Sequence, residues 1–440
     1  MAPDPNIMKA VEQLGYRVTV GDVATKAGLN INLAEQGLLV LASDAGGHLQ
    51  VSESGEIAYL FPKNFRSILR NKFLQLRLQE WWAKVWRVLF YLIRISFGIV
   101  LLLSIVLMMI AITIIIVSIN SSSDNDSRGG SSRNTGGGGI FFLPRFWGPD
   151  LFWFFSPDYY ESNPQRQRLS SVSSERSQMN FLEAIFSFLF GDGNPNADLE
   201  ERRWQDIGGA IRNSRGAVAA EQIAPYLDEL GEGYQREYED YMLPVLTKFN
   251  GHPEVSPAGE IVYHFPQLQT TAKEQHQQSV QAYLKEKLWR FSQASSGQIM
   301  LAIGLGALNL ILALVLGELL QGGIAAELGR FVDFVQLIYP VLLVYGIGFL
   351  TIPLMRYFWV QWKNRRLEVR NQQRQERATV LNRADTNLKQ KIAYAQQFAA
   401  QKIINQEDLV YTSETDLLDQ ELERKDQIDA EWQRRLESNS

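Results

Sequence analysis

Apolar and polar residues fall in blocks along this chain, and the period changes from block to block. Residues Ser96–Ile119, SFGIVLLLSIVLMMIAITIIIVSI, run for 24 positions without a charge. A helix that crosses a bilayer needs about 20 apolar residues, so this run predicts a span. It begins too far into the chain to be a signal peptide, and no small-residue cleavage site follows it. Two more runs, Ile299–Leu320 and Phe331–Val360, are separated by the short link QGGIAAELGR and predict a membrane hairpin. Core helices of soluble proteins rarely stay apolar on every face for this length.

A second pattern recurs at a distance. Residues 47–62 read GHLQVSESGEIAYLFP and residues 251–266 read GHPEVSPAGEIVYHFP, identical at ten of sixteen positions without a gap. Upstream, Val18, Val23 and Ala24 correspond to Val218, Ile223 and Ala224. In each copy a helix-period stretch comes first, Ile7–Leu14 or Trp204–Arg212. In the first copy a strand over Tyr16–Val20, a short helix over Gly21–Ala27 and a turn at Gly28–Asn30 follow. A longer helix over Leu33–Ala42 stops at Gly46–Gly47, where glycine supplies the positive φ of a helix end. Leu49–Ser52 and Ile57–Phe61 then alternate about a Ser-Gly turn, as a hairpin does, and Pro62 ends the second strand. Helix, strand, helix, helix, hairpin is the order of a winged helix.

Charge decides what such a module binds. Residues 1–62 carry three cations against seven carboxylates, a net −4, and residues 198–266 carry six against thirteen, a net −7. The helix that would enter a DNA groove, NINLAEQGLLVLASDAG, has no Lys or Arg. Base and phosphate contacts rely on such groups, so the charge argues against DNA and for protein partners. Exposed wing aromatics Tyr59, Phe61, Tyr263 and Phe265 are the candidate partner-binding residues, with hairpin core as their other reading.

Cations cluster beside the spans. Lys63, Arg66, Arg70, Lys72, Arg77, Lys84, Arg87 and Arg94 precede the first span, and Trp81, Trp82 and Trp86 are interleaved with them. This predicts an amphipathic lead-in in which Trp81, Trp82, Trp86, Arg87 and Arg94 anchor at headgroup level and attract anionic lipid. Lys273, Lys285, Lys287 and Arg290 precede the second span; Arg356, Lys363, Arg365, Arg366 and Arg370 follow the third. All three flanks read as cytoplasmic, so a single crossing at Ser96–Ile119 leaves the middle of the chain in conflict. The aromatic segment Ile140–Phe155 resolves the conflict if it re-enters or crosses back.

The rest is linker and tail. Ser121–Gly139 is rich in Ser and Gly, and Gln165–Gln178 in Ser and Arg. Phe181–Phe190 is too short to span. After the third span, Trp359–Ile404 has no Gly or Pro and predicts a long helix, with a turn near Asn405 and a second charged helix over Glu414–Leu436. The predicted order is a winged-helix-like module at 1–64, a basic juxtamembrane helix at 65–95, a span at 96–119 and a linker at 120–139. An aromatic interfacial or re-entrant segment at 140–160 and a polar linker with a Phe-rich helix at 161–196 follow. The second winged-helix-like module takes 197–270, a helix 271–298, two spans 299–320 and 331–358, and a charged helical tail 359–440.

The chemistry of catalysis is thin. There is no cysteine and there are four histidines in 440 residues, with a net charge of −5. Thiol catalysis, disulfides and Cys-ligated metals are excluded for this chain by itself. His48 and His252 sit at equivalent repeat positions with no neighbouring ligand in sequence. Asp192, Asn194, Asn196 and Asp198 resemble the start of a calcium loop, yet Ala197 stands where Gly is needed and Arg203 where Glu is needed. A turn with Asn196 or Asp198 capping the next helix is the better reading. Glu318 and Asp333 lie near the ends of the hairpin spans with Arg330 close by, which suits an interfacial pair. No phosphate-loop, dinucleotide or hydrolase motif occurs, so no catalytic, cofactor-binding or metal site is predicted.

The string FSFLFGDGNPN (Phe186–Asn196), the second G-E-I-x-Y-x-F-P module and the two-span hairpin resemble a poorly characterised family of integral membrane proteins from cyanobacteria, with relatives in plant plastids. The resemblance covers most of the chain except Ser121–Gly139. It implies a cyanobacterial plasma or thylakoid membrane. Some plant relatives carry a similarity-based label of iron–sulfur cluster biosynthesis; a chain without cysteine cannot hold a cluster through thiolates. The expected fold is a mainly α membrane protein with about three transmembrane helices, two repeated winged-helix-like α+β modules and a C-terminal helical hairpin or coiled coil. The expected function is a non-enzymatic membrane scaffold or assembly factor that docks subunits of a membrane protein complex. Two alternatives stand beside it. One is a channel or transporter subunit, a homo-oligomer packed through Gly304, Gly306 and Asn309. The other is a membrane-tethered transcription regulator.

Overall fold

In the computed structural model, residues 3–123, 179–228, 239–273, 279–321, 330–405, 407–423 and 425 are described. The predicted linkers, the aromatic segment 140–160 and most of the predicted helix Glu414–Leu436 lie outside them. The chain is mainly helical and forms two compact units: Met1–Trp82 with Pro195–Leu288 and Arg365–Ser440, and Ala83–Asn194 with Trp289–Asn364.

In the first unit, local chemistry starts and stops each element. Asp4 caps α1 (Pro5–Gln13) by accepting from the Asn6 amide, and Pro5 opens it. After β1 (Arg17–Thr19), Thr19 and Asp22 form a reciprocal capping box for α2 (Val20–Ala27), which ends at left-handed Gly28. Asn30 caps α3 (Ile31–Ala45), whose inner stripe is Ile31, Ala34, Leu38, Leu41, Ala42 and Ala45. Strands β2 (His48–Ser52) and β3 (Ile57–Leu60) pair as a hairpin, and β3 lies between β2 and β1. Then α4 (Phe65–Lys72) turns at Phe73 into α5 (Leu74–Ser123), one helix of 50 residues that joins the predicted lead-in to the predicted span.

The second copy of the sequence motif takes the same course. Helix α6 (Phe181–Phe190) belongs to the other unit; α7 (Leu199–Asn213) begins the copy. Strand β4 (Ala217–Ala219), the one-turn α8 (Ala220–Ile223), α9 (Leu243–Phe249) and the hairpin β5 (His252–Val255) and β6 (Ile261–His264) follow. The sheet order β4-β6-β5 matches β1-β3-β2, and Val218 opposes Tyr263 as Val18 opposes Tyr59. The two copies share one apolar core, with Val11, Val23, Leu38 and Phe65 from the first and Ile207, Ile211, Phe249 and Phe265 from the second. Gly208 permits the close approach: a Cβ there would lie 2.9 Å from the Thr25 methyl. Across this junction Arg212 donates to Asp22 at 2.7 Å, with both side chains buried.

The remaining elements correct two expectations. Residues 271–298 were expected to be a helix. After α10 (Pro266–Gln269) and β7 (Thr270–Thr271), the described residues 279–295 contain none, and α11 starts only at Ser296 (Ser296–Gln321). Asparagine side chains meet this backbone instead. Asn371 accepts from the Glu286 amide and donates to its carbonyl at 2.8 and 2.9 Å, and Asn196 brackets Lys287 in the same way at 2.8 Å. Groups bonded in this manner have no need of a helix. Nor do the described residues of the tail form the expected helical hairpin or coiled coil. The long helix α12 (Arg330–Asn382) ends at Asn382, and Asp385 caps a separate α13 (Thr386–Ala395). Residues after it join the sheets: β8 (Lys402–Ile403) pairs in parallel with β7, and β9 (Leu409–Thr412) adds antiparallel to β2. Leu409 packs on Ala58, Ala272 and Ile404, and the backbone ladder supplies the rest. Helix α14 (Leu417–Glu423) follows.

The second unit holds α6, α11 and the apolar parts of α5 and α12. Three helices, α5, α11 and α12, are long and apolar enough to cross a membrane. Leu101, Ile105, Phe188, Ala302 and Phe349 form one buried cluster, and Met108, Ala111, Ala313, Leu316 and Val335 another. Leu103, Ile311, Leu337, Val341 and Val344 are exposed, so the outer surface is apolar, as a lipid environment requires. Ser104 donates to Asn309 at 2.6 Å inside the unit, and Gly306 faces Phe349 at a distance that excludes a Cβ. Two of the three residues read as packing positions are thus used within one chain, while Gly304 faces open space.

Candidate functional site

The motif that carries the family resemblance builds a polar cluster in the second unit. Helix α6, FLEAIFSFLF, has ten residues and spans about 15 Å, half of a bilayer's apolar thickness. Phe181, Ala184, Ile185, Ser187, Phe188 and Leu189 are buried. It stops at Gly191, at φ +80°, where a Cβ would collide with the Arg356 guanidinium. Arg356 occupies that space and donates to the carbonyls of Ser187 at 3.2 Å, Phe188 at 2.9 Å and Phe291. A cation thereby meets the carbonyls a helix leaves unpaired at its C-terminus.

Asp192 completes the cluster. Its carboxylate accepts from the Ser187 hydroxyl at 2.6 Å, the Gln293 amide at 2.9 Å and Arg94 at 3.0 Å. Ser187 also lies 2.7 Å from the Ser292 hydroxyl. Arg94, expected to anchor in lipid headgroups, is instead paired with Asp192 and is mostly covered. The Ser187 hydroxyl is thereby engaged by Asp192 and Ser292, and among the described residues no histidine bonds to it. No group of three or more potential metal-ligating residues occurs among the described residues. The calcium-loop positions are spent otherwise: Asp192 in this cluster, Asn196 on Lys287, Asp198 on Arg202 at 3.1 Å. Asp198 at the N-cap of α7 makes no side-chain cap bond.

Over 441 aligned residues the chain is 37% identical to an uncharacterized chloroplastic protein of Arabidopsis thaliana, covering 98% of this chain and 81% of the relative. This chain belongs to that protein's family. No family model and no solved structure matches it. The relative's name states a location and no activity.

In this family member the predicted wing aromatics are not at the surface. Tyr59, Phe61, Tyr263 and Phe265 are 2%, 3%, 4% and 0% exposed, which removes them as partner-binding residues. Strand alternation turns Tyr59 and Tyr263 inward, and both belong to the shared core. Exposed apolar residues of the modules are Leu33, Leu39 and Val40 on α3, together with Ile57 and Val255 on the hairpins and Leu243 on α9. Asn32, Glu35, Gln36 and Ser43 are exposed on α3, and no cation is among them. Trp81, Trp82, Trp86 and Arg87 are exposed, as an anchoring role needs. Glu318 and Asp333 are exposed, and no ion pair of either is found among the described residues.

Charges from the tail, which the sequence predicts as a charged helical segment, are buried in the first unit. Arg374 on α12 donates to Asp228 and Glu286, and Arg370 meets Glu286 with two bonds of 2.8 Å. Lys391 on α13 is 3% exposed and reaches Glu221 at 3.1 Å and Glu239 at 2.5 Å, with Glu260 at 3.9 Å. Burial by itself would lower the Lys391 pKa, but the bond to Glu239 and the charges of Glu221 and Glu239 outweigh it and raise it. Burial raises the Glu239 carboxyl, opposed by Lys391 and reinforced by Glu221. Burial raises the Tyr263 hydroxyl, and its 2.8 Å bond to Glu239 adds to the effect. One ammonium therefore neutralises more than one carboxylate, and the carboxylate with the poorest solvation holds its proton more tightly. Isolated Lys and Arg in a Gln-rich tail gave no sequence signal for this role, because their partners lie about 90 to 170 residues away.

Proposed function

We propose that this protein is a non-enzymatic integral membrane scaffold or assembly factor of a plastid-type or cyanobacterial membrane, plasma or thylakoid. Its two fused modules, which we read as winged helices, dock protein subunits of a membrane complex. The observation that carries this reading is α3. In a winged helix this element enters the DNA groove and needs Arg or Lys. Here it presents Leu33, Leu39 and Val40 with neutral and acidic neighbours. Exposed apolar side chains rimmed by polar ones suit a protein partner. The exposed Trp81, Trp82, Trp86 and Arg87 support contact with anionic lipid on the lead-in to the first span.

A channel or transporter draws less support. Its expected ionic residues Glu318 and Asp333 are exposed, and Asn309 is engaged by Ser104. The test is purification of the full chain from native membranes in mild detergent, comparing wild type with Leu33→Asp/Val40→Asp. Loss of the same subunits at unchanged thermal stability is the expected result. An unchanged set of co-purifying subunits overturns the reading.

A further inference from the structure

The two hairpin segments are identical at ten of sixteen positions, yet among the described residues the first carries an extra strand and the second does not. Strand β9 pairs with the outer edge of β2, with Gln50 opposite Thr412 and Val51 opposite Tyr411. Among the described residues, no strand pairs with the outer edge of the equivalent β5. The groups that point outward explain the difference. On the first hairpin the Leu49 amide donates to the Ser413 hydroxyl, the Ser413 amide donates to the Leu49 carbonyl, and the Glu53 amide donates to the Asp408 carbonyl, each at 2.9 Å. The inward amides at Val51's neighbours serve the hairpin itself, as the Ser52 amide does toward Glu56.

Aligning GHLQVSESGE with GHPEVSPAGE places Pro253 at the position of Leu49 and Pro257 at the position of Glu53. Two of the outward donors used by β9, those of Leu49 and Glu53, are therefore missing on the second hairpin. Proline is tolerated at an edge where its missing N–H faces away from the sheet, and it blocks further strand addition there. The remaining outward acceptor that the structure shows in use, the Val255 carbonyl, takes a bond from the Tyr394 hydroxyl at 3.1 Å.

The resident strand is lightly held on its side-chain faces. Val410 and Tyr411 are 47% and 40% exposed, and the apolar anchor is Leu409. We propose that the outer edge of β2 is a strand-addition site whose resident occupant is Leu409–Thr412. Pro253 and Pro257 close the corresponding edge of the second module. The partner that fits is an extended peptide with the alternation of this segment, entering antiparallel in place of β9 and held by its main chain. The site is separate from the α3 face, so either proposal can fail without the other.

The test uses the full chain in detergent and a fluorescent peptide of residues 407–415 as the probe. Wild type, with β9 in place, binds none at concentrations where Tyr411→Pro, which cannot hold β9, binds one peptide per chain. Adding Leu49→Pro/Glu53→Pro returns that number to zero. Pro253→Leu/Pro257→Glu in the otherwise intact chain opens the second edge and raises the number from zero to one. This last variant leaves β9 and its anchor untouched, so it reads the proposal even where Tyr411→Pro unfolds. A lock by Val51→Cys/Tyr411→Cys, clean in a chain with no cysteine, holds β9 in place under oxidation and binds no peptide. Peptide bound by the oxidised lock, no peptide bound by Tyr411→Pro, or no gain on removing the two prolines, overturns the proposal.

Discussion

Lys391 carries the clearest energetic consequence of a single residue. It is buried beside Glu221 and Glu239, and removing it strands two carboxylates. Breaking a buried ion pair by deleting one partner costs about 3–5 kcal/mol. Lys391→Met should therefore destabilise the first unit by about that amount near neutral pH, read by chemical denaturation in detergent. The pH dependence has a definite sign. The Lys391 pKa is raised in the folded state above its ordinary 10.5. Its stabilisation is then complete below 10.5 and is lost as the pH climbs through the higher folded value. The gap between wild type and Lys391→Met should close at strongly alkaline pH, and it should also narrow in acid, where the buried Glu239 takes up its proton and the stranded charge is gone. A gap that closes on acidification alone would contradict the assignment of charge to Lys391. The residue scale is also where the sequence was least informative. Tyr59 and Tyr263 alternate correctly for a wing, yet alternation does not say which face is covered; the helices that bury them come from both copies at once. Lys391 and Arg374 sit in charge runs of ordinary appearance.

At the scale of elements, the chain was most legible where local signals agree. The turn at Gly28–Asn30, Gly46 and the hairpin turn at Gly55 mark α2, α3, β2 and β3 within a few residues, and the repeat marks their partners in the second copy. Elements set by distant contacts were not legible. Residues 279–295 contain no proline and read as helix, but Asn371 and Asn196 replace the helical bonds of Glu286 and Lys287 with their own. In the second unit Asn364 does the same for Trp289, at 2.8 and 2.9 Å. Leaving buried backbone groups without partners costs about 1–3 kcal/mol. Asn371→Leu should abolish hydrogen-exchange protection of the Glu286 amide while the Trp289 amide keeps its own. Unchanged protection at Glu286 would show that the side chain does not hold that backbone. Strand β9 was missed for a related reason: four residues of alternating pattern inside a charged tail carry no signal until β2 supplies an edge.

At the scale of the molecule, residues 1–82, 195–288 and 365–440 share one compact unit. The flanking cations predict that these three stretches stand on one side of the membrane that α5, α11 and α12 are long and apolar enough to cross. Single cysteines at Ser43, Thr247 and Lys389, all exposed, should react with an impermeant maleimide from the same side of sealed vesicles. Labelling of one of them from the opposite side would break that topology. The same unit offers the cation-free face of α3, and the scaffold reading depends on a protein meeting it. The most direct test is photo-crosslinking in intact membranes from Leu33 and Val40, with buried Tyr59 as the control, read by mass spectrometry. Recurrent crosslinks to the same membrane-complex subunits from Leu33 and Val40, and none from Tyr59, are the predicted result. Crosslinks to DNA, or no protein crosslink from either α3 position, would contradict it.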